Sequence, residues 1–286
     1  MESEIVIIRK IAELQQVLNK KRLQNKSIGF VPTMGFLHEG HLGLVEKANE
    51  QNDIVIMSIF VNPAQFGPDE DFEAYPRNEE QDTKIAGQAG VDILFMPEQN
   101  EMYPQEGGIR ILPGPQAAML CGASRPGHFD GVLKVVLKLF NIVDPDRSYF
   151  GMKDAQQLAI IETFVRDFNI KTKIVRVQTV REDDGLAKSS RNVNLSEHER
   201  GEAPVIQEAL NKGAELFLEG VAATVIERKV AEHITVHSSG TIDYVSLLSY
   251  PELQPFEGGP GEAIVACAVQ FKKTRLIDNI IMSTGR

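Results

Sequence analysis

The sequence predicts an α/β protein, with a doubly wound parallel sheet followed by a smaller α+β domain, and three observations support this. Short β-branched runs alternate with helix-like stretches through roughly the first 180 residues, as in chains that build parallel sheets. The runs are nearly all apolar, which is typical of strands covered on both faces. After Asn194 the pattern changes to amphipathic stretches and then to strand-like segments. We therefore expect a first domain over residues 1–187 and a second over residues 188–286.

In the first domain, residues 133–143 could form either a helix or a strand. Residues 133–143 are apolar on almost every side, so periodicity alone leaves helix and strand open. We assign a helix, because the run is longer than a normal strand and because Lys134 and Lys138 are spaced for one helical face. The predicted strands are residues 28–31, 54–61, 93–96, 109–112, 148–150 and 173–180, and the predicted helices are residues 40–52, 79–89, 133–143 and 154–168.

In the second domain, residues 196–199 have the pattern of a helix cap that opens a charged surface helix. Residues 222–233 form a second amphipathic stretch. Strand-like segments follow at residues 241–248, 263–270 and 274–282, with Pro and Gly between the first two. This order predicts helices followed by a small sheet.

Composition narrows the class of protein. The chain has 286 residues and 42% apolar content, enough for a proper core, and no apolar run near the roughly 20 residues that span a bilayer. Residues 1–10 lack the pattern of a signal peptide, so we expect a cytoplasmic protein without a membrane partner. Cys121 and Cys267 are far apart, which argues against a disulfide framework. A net charge of −10 argues against a nucleic-acid partner.

The first strand-to-helix turn carries two histidines. Residues 32–41 read PTMGFLHEGH, with His38 and His41 around Gly40 just after a predicted strand. Backbone N–H groups and a helix dipole meet at such a turn, where phosphates bind. A histidine there can donate to a phosphate as charge develops. Three interpretations stay open on these residues alone: a phosphate site, a metal pair and two ordinary loop histidines.

Two further segments favour the phosphate interpretation. Residues 188–191 read Lys-Ser-Ser-Arg, and their ammonium, hydroxyl and guanidinium groups form a dense set of anion ligands. Residues 151–154 read Gly-Met-Lys-Asp, again between a strand and a helix, which puts Lys153 near a helix N-terminus. Three such turns in one chain predict a nucleoside triphosphate site.

Five segments together resemble the pantoate–β-alanine ligase, or pantothenate synthetase, family. They are PTMGFLHEGH at 32–41, FVNPAQFGPDEDFEAYPR at 60–77, RPGHFDGV at 125–132, DPDRSYFGMKDAQQ at 144–157 and DGLAKSSRN at 184–192. The resemblance covers the first two-thirds of the chain, in order. It implies a Rossmann-like fold of the HxGH nucleotidylyltransferase type, in which the HxGH turn and a KMSKS-like loop bracket ATP. Lys188 departs from the pattern, since many members have an apolar residue there.

The resemblance implies an ATP-dependent ligase that condenses (R)-pantoate with β-alanine through an enzyme-bound pantoyl adenylate, releasing pyrophosphate and AMP. ATP would bring Mg²⁺, which prefers oxygen ligands, and Asp82 is the candidate protein ligand. By matching motif, His41 is the proton donor, and the expected catalytic set is His38, His41, Lys153, Ser189, Ser190 and Arg191. The expected ATP-binding set is Met34, Gly35, Phe36, Leu37, His38, Glu39, Gly40, His41, Gly151, Met152, Lys153, Asp154, Val180, Lys188, Ser189, Ser190 and Arg191.

Pantoate needs amide partners and an apolar wall. Gln65 and Gln157 match the family's pantoate-binding glutamines, and Gln65 is also expected to bind β-alanine. A glutamine suits a hydroxyl because it both donates and accepts. The wall and rim are assigned to Pro32, Met34, Phe66 and Asn62, with Arg125 and His128 as supports at the rim or behind it. Asn62 as a turn device, and Arg125 and His128 as an ordinary loop, stay open.

Residues 66–75 are a candidate gate over the adenylate, with a static surface loop as the alternative. The family resemblance implies a homodimer. Two other functions stay open: a nucleotidylyltransferase that acts on another acceptor, and a nucleotide-binding regulatory module without turnover.

Overall fold

The computed structural model describes residues 5–67, 72–73, 75–105 and 107–284. The chain forms two compact units, described separately below. Unit 1 consists of Met1–Gly114, Arg125–Gly151 and Phe164–Val177, and unit 2 consists of Pro115–Ser124, Met152–Thr163 and Gln178–Arg286. The segments of the two units therefore alternate along the sequence. The division into domains at residues 187 and 188 stays a prediction.

Unit 1 is built, in the described part of the chain, on a six-stranded sheet in which every pair of neighbouring strands is parallel. The spatial order is β1-β4-β3-β2-β5-β6, so β2 lies between β3 and β5. The order of strands along the chain reverses there, and ligands bind at the carboxyl edge of such a switch point. The predicted parallel sheet is confirmed. The strands are β1 Val6–Ile8, β2 Ile28–Thr33, β3 Ile54–Ile59, β4 Ile93–Phe95, β5 Arg147–Gly151 and β6 Lys173–Val177.

One face of this sheet packs on α2 and α3. Val31, Met57 and Leu94 from three strands share a buried cluster with Leu44 and Ala86 from the two helices. The alternate residues of these strands point to the opposite face, because side chains alternate along a strand. The helices within unit 1 are α1 Ile11–Leu23, α2 Glu39–Gln51, α3 Glu79–Gln88, α4 Gln99–Met102 and α5 His128–Val143, and α6 Ala155–Asp167 has its last residues in unit 1.

The helix expected over residues 133–143 is confirmed as α5, which begins earlier, at His128. Gly127, with φ of +79°, precedes it as the N-cap. The strand expected over residues 109–112 is wrong. Ile109 and Leu112 are 77% and 75% exposed, and the segment has no regular structure. Strand β1 was not predicted.

Unit 2 contains, within the described residues, a three-stranded antiparallel sheet in the order β7-β8-β9. Ile226, Val230 and Ile234 of α9 form its core with Val265 and Cys267 of β8. This confirms the smaller α+β part. Its strands are β7 Thr241–Tyr250, β8 Gly261–Gln270 and β9 Arg275–Thr284, and its helices are α7 Glu197–Glu202, α8 Val205–Leu218, α9 Ala223–His237 and the first residues of α6.

Two properties of the fold concern its environment. Among the described residues, no helix is both long enough and apolar enough to cross a bilayer. Cys267 is fully buried, and that burial raises the pKa of its thiol.

Candidate active site

The HxGH turn of unit 1 connects β2 to α2, and its two histidines close the start of the helix. His38 is the N-cap of α2, and its Nδ1 atom accepts a hydrogen bond from the Gly40 backbone N–H over 3.1 Å. The Nδ1 atom of His41 accepts one from the His38 backbone N–H over 3.2 Å. The two rings lie 4.1 Å apart between centroids. The histidines thus satisfy N–H groups that have no partner within the helix itself.

These hydrogen bonds fix the tautomer of both rings. A ring nitrogen that accepts a hydrogen bond carries no proton, so each neutral imidazole has its proton on Nε2. The cap therefore gives His38 and His41 an Nε2–H donor each, which suits an anionic ligand. In the described part of the chain, no group of three or more His, Cys, Asp or Glu side chains is placed to hold a metal ion.

Asp82, on α3, holds the backbone just before the histidines. Its two carboxylate oxygens accept hydrogen bonds from the backbone N–H groups of Phe36 and Leu37, each over 2.8 Å. Gly35 and Phe36 both have positive φ, +84° and +52°, and a Cβ at Gly35 would lie 2.9 Å from Asp82 Oδ2. The side chain of Asp82 therefore stabilises a left-handed turn that has no room for a larger residue. Its expected role as a Mg²⁺ ligand stays a prediction.

Asn62 supports the short turn of residues 63–65 that carries Gln65. Its Oδ1 atom accepts hydrogen bonds from the Ala64 N–H over 3.3 Å and from the Tyr103 hydroxyl over 2.8 Å. Its Nδ2 atom donates to Oε1 of Gln65 over 3.0 Å and to the Gly131 carbonyl over 3.1 Å. Asn62 is fully buried, so this structure gives it the turn-device role, and direct contact with pantoate stays a prediction.

The Asn62 contact determines how the Gln65 amide is oriented. Because Oε1 accepts from Asn62, the Nε2 end faces Met34, whose sulfur it reaches over 3.2 Å. A thioether is a weak hydrogen-bond acceptor. An oxygen atom of a ligand that took the place of the Met34 sulfur would therefore form a stronger hydrogen bond with Gln65 Nε2. Burial raises the pKa of Tyr103 to about 12, so its phenol remains a donor to Asn62 at neutral pH.

Arg125 and His128 support the backbone of Gln65 through two successive hydrogen bonds. The Nδ1 atom of His128 donates to the Gln65 carbonyl over 2.8 Å, since a carbonyl only accepts. The Nε2 atom of the same ring then accepts from the Arg125 guanidinium over 3.2 Å. Helix α5 comes very close here: a Cβ at Gly131 would lie 2.0 Å from the Ala64 carbonyl oxygen. Unit 1 therefore brings together Met34, Asn62, Gln65, Arg125 and His128 among the expected residues.

The candidate gate over residues 66–75 is only partly described. Residues 68–71 and 74 lie outside the described residues. The Phe66 ring contacts the rings of Phe72 and Tyr75, with centroids 5.3 and 6.0 Å apart. A gating role stays a prediction.

In unit 2, the turn that carries Lys153 opens helix α6. Residues Met152–Asp154 form one short turn directly after the last residue of β5. The Nδ2 atom of Asn279 donates to the carbonyl oxygens of Met152 and Lys153, each over 2.9 Å. Asp154 is exposed and Gln157 is half-buried. The position of the Lys153 backbone is thus set by a side chain from β9.

The Lys-Ser-Ser-Arg segment follows a small hairpin. The Lys188 N–H donates to the Val180 carbonyl over 2.9 Å, and the Glu182 N–H donates to the Leu186 carbonyl over 2.8 Å. The ammonium of Lys188 forms an ion pair with the Glu182 carboxylate over 2.9 Å. This pair neutralises the charge of Lys188 locally. Its contact with a phosphate stays a prediction.

A pocket within unit 2 brings several expected residues together. Lys153, Ser189 and Arg191 line it, whereas Lys188 and Ser190 do not. Two lining residues that sequence reasoning missed are Arg275 and Asn192. Asp278 also lines the pocket, but its carboxylate is paired with Arg181 over 2.6 Å. Beside five apolar residues, the lining therefore carries the cationic side chains of Lys153, Arg191 and Arg275 and the Ser189 hydroxyl, which can hold an anionic group.

Comparisons with known proteins point to one family. Residues 6–281 match the family model described as Pantoate-beta-alanine ligase. The chain is 55% identical over 275 residues to the pantothenate synthetase of Bacillus subtilis, covering 96% of each chain. It is 53% identical over 279 residues to that of Geobacillus kaustophilus, covering 97% of this chain and 93% of the relative.

Solved structures agree with the sequence matches. A crystal structure of pantothenate synthetase from Thermus thermophilus gives a TM-score of 0.89 at 44% identity, covering 96% of this chain and 99% of that one. A second, the pantoate-beta-alanine ligase of Francisella tularensis complexed with beta-gamma ATP and beta-alanine, gives 0.78 at 37% identity, covering 98% and 99%.

Proposed function

The chain belongs to the pantoate–β-alanine ligase family, and we propose that this ATP-dependent ligase makes pantothenate through a pantoyl adenylate, releasing pyrophosphate and then AMP. The observation that carries the proposal is the pocket of unit 2, which groups Lys153, Ser189 and Arg191. The resemblance assigns these residues to the β- and γ-phosphates. The pocket supports that role because its basic and hydroxyl groups can neutralise and hydrogen-bond phosphate oxygens.

The resemblance also assigns the two histidines of the HxGH turn to the phosphates of ATP. Their Nδ1 atoms accept from the backbone, so Nε2–H is the group that donates to a phosphate oxygen. Attack of the pantoate carboxylate on the α-phosphorus builds charge on the equatorial oxygens and on the leaving pyrophosphate. Fixed donors stabilise that charge without having to reorient. His41 is the proposed proton donor in this step.

Magnesium would accompany ATP. Both oxygens of Asp82 accept backbone hydrogen bonds, and no cluster of three acidic or histidine ligands exists among the described residues. The chemistry therefore fits an ion held mainly by phosphate oxygens and water, as Mg²⁺ often is. When bound, such an ion neutralises phosphate charge.

Gln65 is the proposed residue that orients both acceptors of the reaction. Its Nε2 end would donate to oxygens of pantoate and later to the carboxylate of β-alanine, with Gln157 as a second pantoate ligand. Pro32 and Met34 would provide the apolar wall. In the second step the β-alanine amine attacks the acyl carbon of the adenylate, the C–N bond forms, and AMP leaves. The Francisella relative was solved with β-alanine, which agrees with this acceptor.

The experiment that tests this proposal is isotope exchange between ATP and pyrophosphate. With pantoate present and β-alanine absent, the adenylate mechanism requires exchange, and AMP should appear only after β-alanine is added. Exchange with another acid but not with pantoate would mean that pantoate is not the substrate that the enzyme adenylates. No exchange with any acid, together with pantothenate formation in the full assay, would rule out a reversible adenylate step.

We also propose a homodimer and a cytoplasmic location, on the family resemblance. Static light scattering of the purified chain would give a mass of about twice 31.7 kDa for the dimer. A mass equal to one chain would overturn it.

A further inference from the structure

We propose that Asp278 and Asn279, two consecutive residues of β9, act as a clamp that positions the two phosphate-binding segments of unit 2. One segment is the Lys153 turn, and the other is the loop of residues 188–191. The inference rests on the proposed function, because it assigns a role in aligning residues that contact ATP. Neither residue is proposed to touch substrate, so both are positioning residues.

The first half of the clamp is the amide of Asn279. It is 6% exposed and donates both of its N–H groups, one to the Met152 carbonyl and one to the Lys153 carbonyl. Two bonds from one planar amide fix the orientation of two successive peptide groups. The Cα–Cβ bond of Lys153 is then fixed as well, and with it the direction in which the side chain leaves the backbone.

The second half is the carboxylate of Asp278, which is 4% exposed. It binds the Arg181 guanidinium through two hydrogen bonds, of 2.6 and 3.1 Å. Arg181 also donates to the Gly185 carbonyl over 3.0 Å, across the hairpin that leads directly to Lys188. A bidentate pair of this kind fixes geometry as well as charge. Asp278 therefore holds the base of the Ser189–Arg191 loop.

The end of the 188–191 loop at Arg191 also contacts this part of unit 2, just before β9 begins. The hydroxyl of Thr274, the residue before β9, donates to the Arg191 carbonyl over 3.3 Å. The loop is thus held near both ends by residues 274 and 278, and the Lys153 turn by residue 279.

Neighbouring residues of a strand point to opposite faces, which lets Asp278 and Asn279 reach two different segments. Their spacing is fixed by the strand backbone, and an internal hydrogen bond of 2.8 Å from the Asn279 N–H to Asp278 Oδ1 stiffens the pair. The distance between Lys153 and the loop therefore depends on one strand. Loss of either contact should weaken alignment with the triphosphate more than it weakens folding.

Asn279→Asp tests the clamp, because the shape is kept while the donor is removed. We expect ATP use, as kcat/KM for ATP, to fall about tenfold or more, the scale of losing buried hydrogen bonds. The KM values for pantoate and β-alanine should change less than twofold. Met282→Ala, in the core-facing part of the same strand, is the matched control for lost stability. It should leave the KM for ATP unchanged.

Double-mutant cycles separate positioning from general damage. If Asn279 acts through Lys153, then Asn279→Ala should have little further effect once Lys153→Ala is present. Full additivity of the two losses would overturn the clamp. Should Asn279→Asp not fold, Asn279→Ser gives the same reading for the Lys153 turn. Arg181→Lys, which keeps the charge but loses the bidentate pair with Asp278, tests the other half of the clamp and should also lower kcat/KM for ATP; an unchanged value would overturn that half. If the Lys153→Ala enzyme kept its full activity with ATP, the proposed phosphate role of Lys153 would itself be refuted.

Discussion

The side-chain amide of Asn62 donates to Oε1 of Gln65 over 3.0 Å, and this bond determines that the nitrogen end of the Gln65 amide faces Met34. Glutamine can present either end to a ligand, so an enzyme that needs a donor must fix the orientation. The amide of Asn62 is in turn fixed by the Tyr103 hydroxyl, the Ala64 N–H and the Gly131 carbonyl.

Tyr103→Phe should therefore impair pantoate binding, although residue 103 is not expected to contact pantoate. The variant removes the hydroxyl that donates to Asn62, which leaves a buried acceptor without that partner. We expect the KM for pantoate to rise roughly three- to tenfold, with the KM for ATP unchanged. Steady-state kinetics with each substrate varied would measure this. Tyr149→Phe also loses a buried phenol, bonded to Asn52, and is the control. An equal rise in both KM values after Tyr103→Phe would contradict the relay.

His38→Asn separates the helix-capping role of His38 from its phosphate role. Asparagine is a good N-cap, so its side-chain oxygen can still accept from Gly40 N–H and the unfolding temperature should stay near that of the parent. The Nε2–H donor is lost, so pyrophosphate exchange should fall on the order of 100-fold, as when one transition-state donor is removed. His38→Ala should lose both properties, with about 1 kcal/mol of stability. Full activity of His38→Asn would assign His38 to structure alone.

Asp82→Asn distinguishes a turn anchor from a metal ligand. An amide offers one acceptor oxygen where the turn needs two, so one of the Phe36 and Leu37 N–H groups loses its partner. We expect kcat/KM for ATP to fall by about tenfold or more at every Mg²⁺ concentration. Titration with Mg²⁺ measures this, with the exposed neighbour Glu80→Gln as the control. Restoration of activity by excess Mg²⁺ would mean that Asp82 binds the metal.

Glu199 predicts a pH dependence of stability. Its carboxylate accepts from the Ser196 N–H, the Ser196 hydroxyl and the Lys272 N–H, and these bonds lower its pKa from 4.5 to about 2. A lowered pKa in the folded state means that the stabilisation is complete above about 4.5 and is lost as the pH falls towards 2. The unfolding temperature of Glu199→Gln should therefore lie below that of the parent at neutral pH, and the gap should close in acid. Circular dichroism across that range measures it.

The control for that measurement is Glu197→Gln, at an exposed position of the same helix. A gap between Glu199→Gln and the parent that stays constant down to pH 2 would show that the carboxylate contributes through packing and not through its charge.

The central strands were predictable from sequence because their apolar runs are bounded by turn signals. Strand β1 was missed because it has only three residues and lies at the sheet edge. Residues 109–112 were predicted as a strand because three of the four, Ile109, Ile111 and Leu112, are large apolar residues. Apolar residues alone do not make a strand, since the backbone also needs a hydrogen-bonding neighbour, and none is found there within the described residues.

The site residues that lie in local sequence motifs could be predicted from the sequence. His38 and Lys153 stand at strand-to-helix turns, which local sequence reveals. Asp82 and Asn279 act on partners 45 and 126 residues away, and nothing in their neighbourhoods indicates those partners. The one available signal for Asn279 was a pair of polar residues, 278–279, within the apolar run of residues 276–282. Buried polar pairs in strands are worth inspecting for that reason.

The alternating course of the two units restricts how such a chain can be recombined. Three segments of each unit alternate along the sequence, which makes five junctions. A single genetic crossover, or a single cut for a split-enzyme reporter, therefore divides at least one unit between the two pieces. Exchange of unit 2 between homologous genes would need a separate crossover at each junction, so the two units are expected to be inherited together.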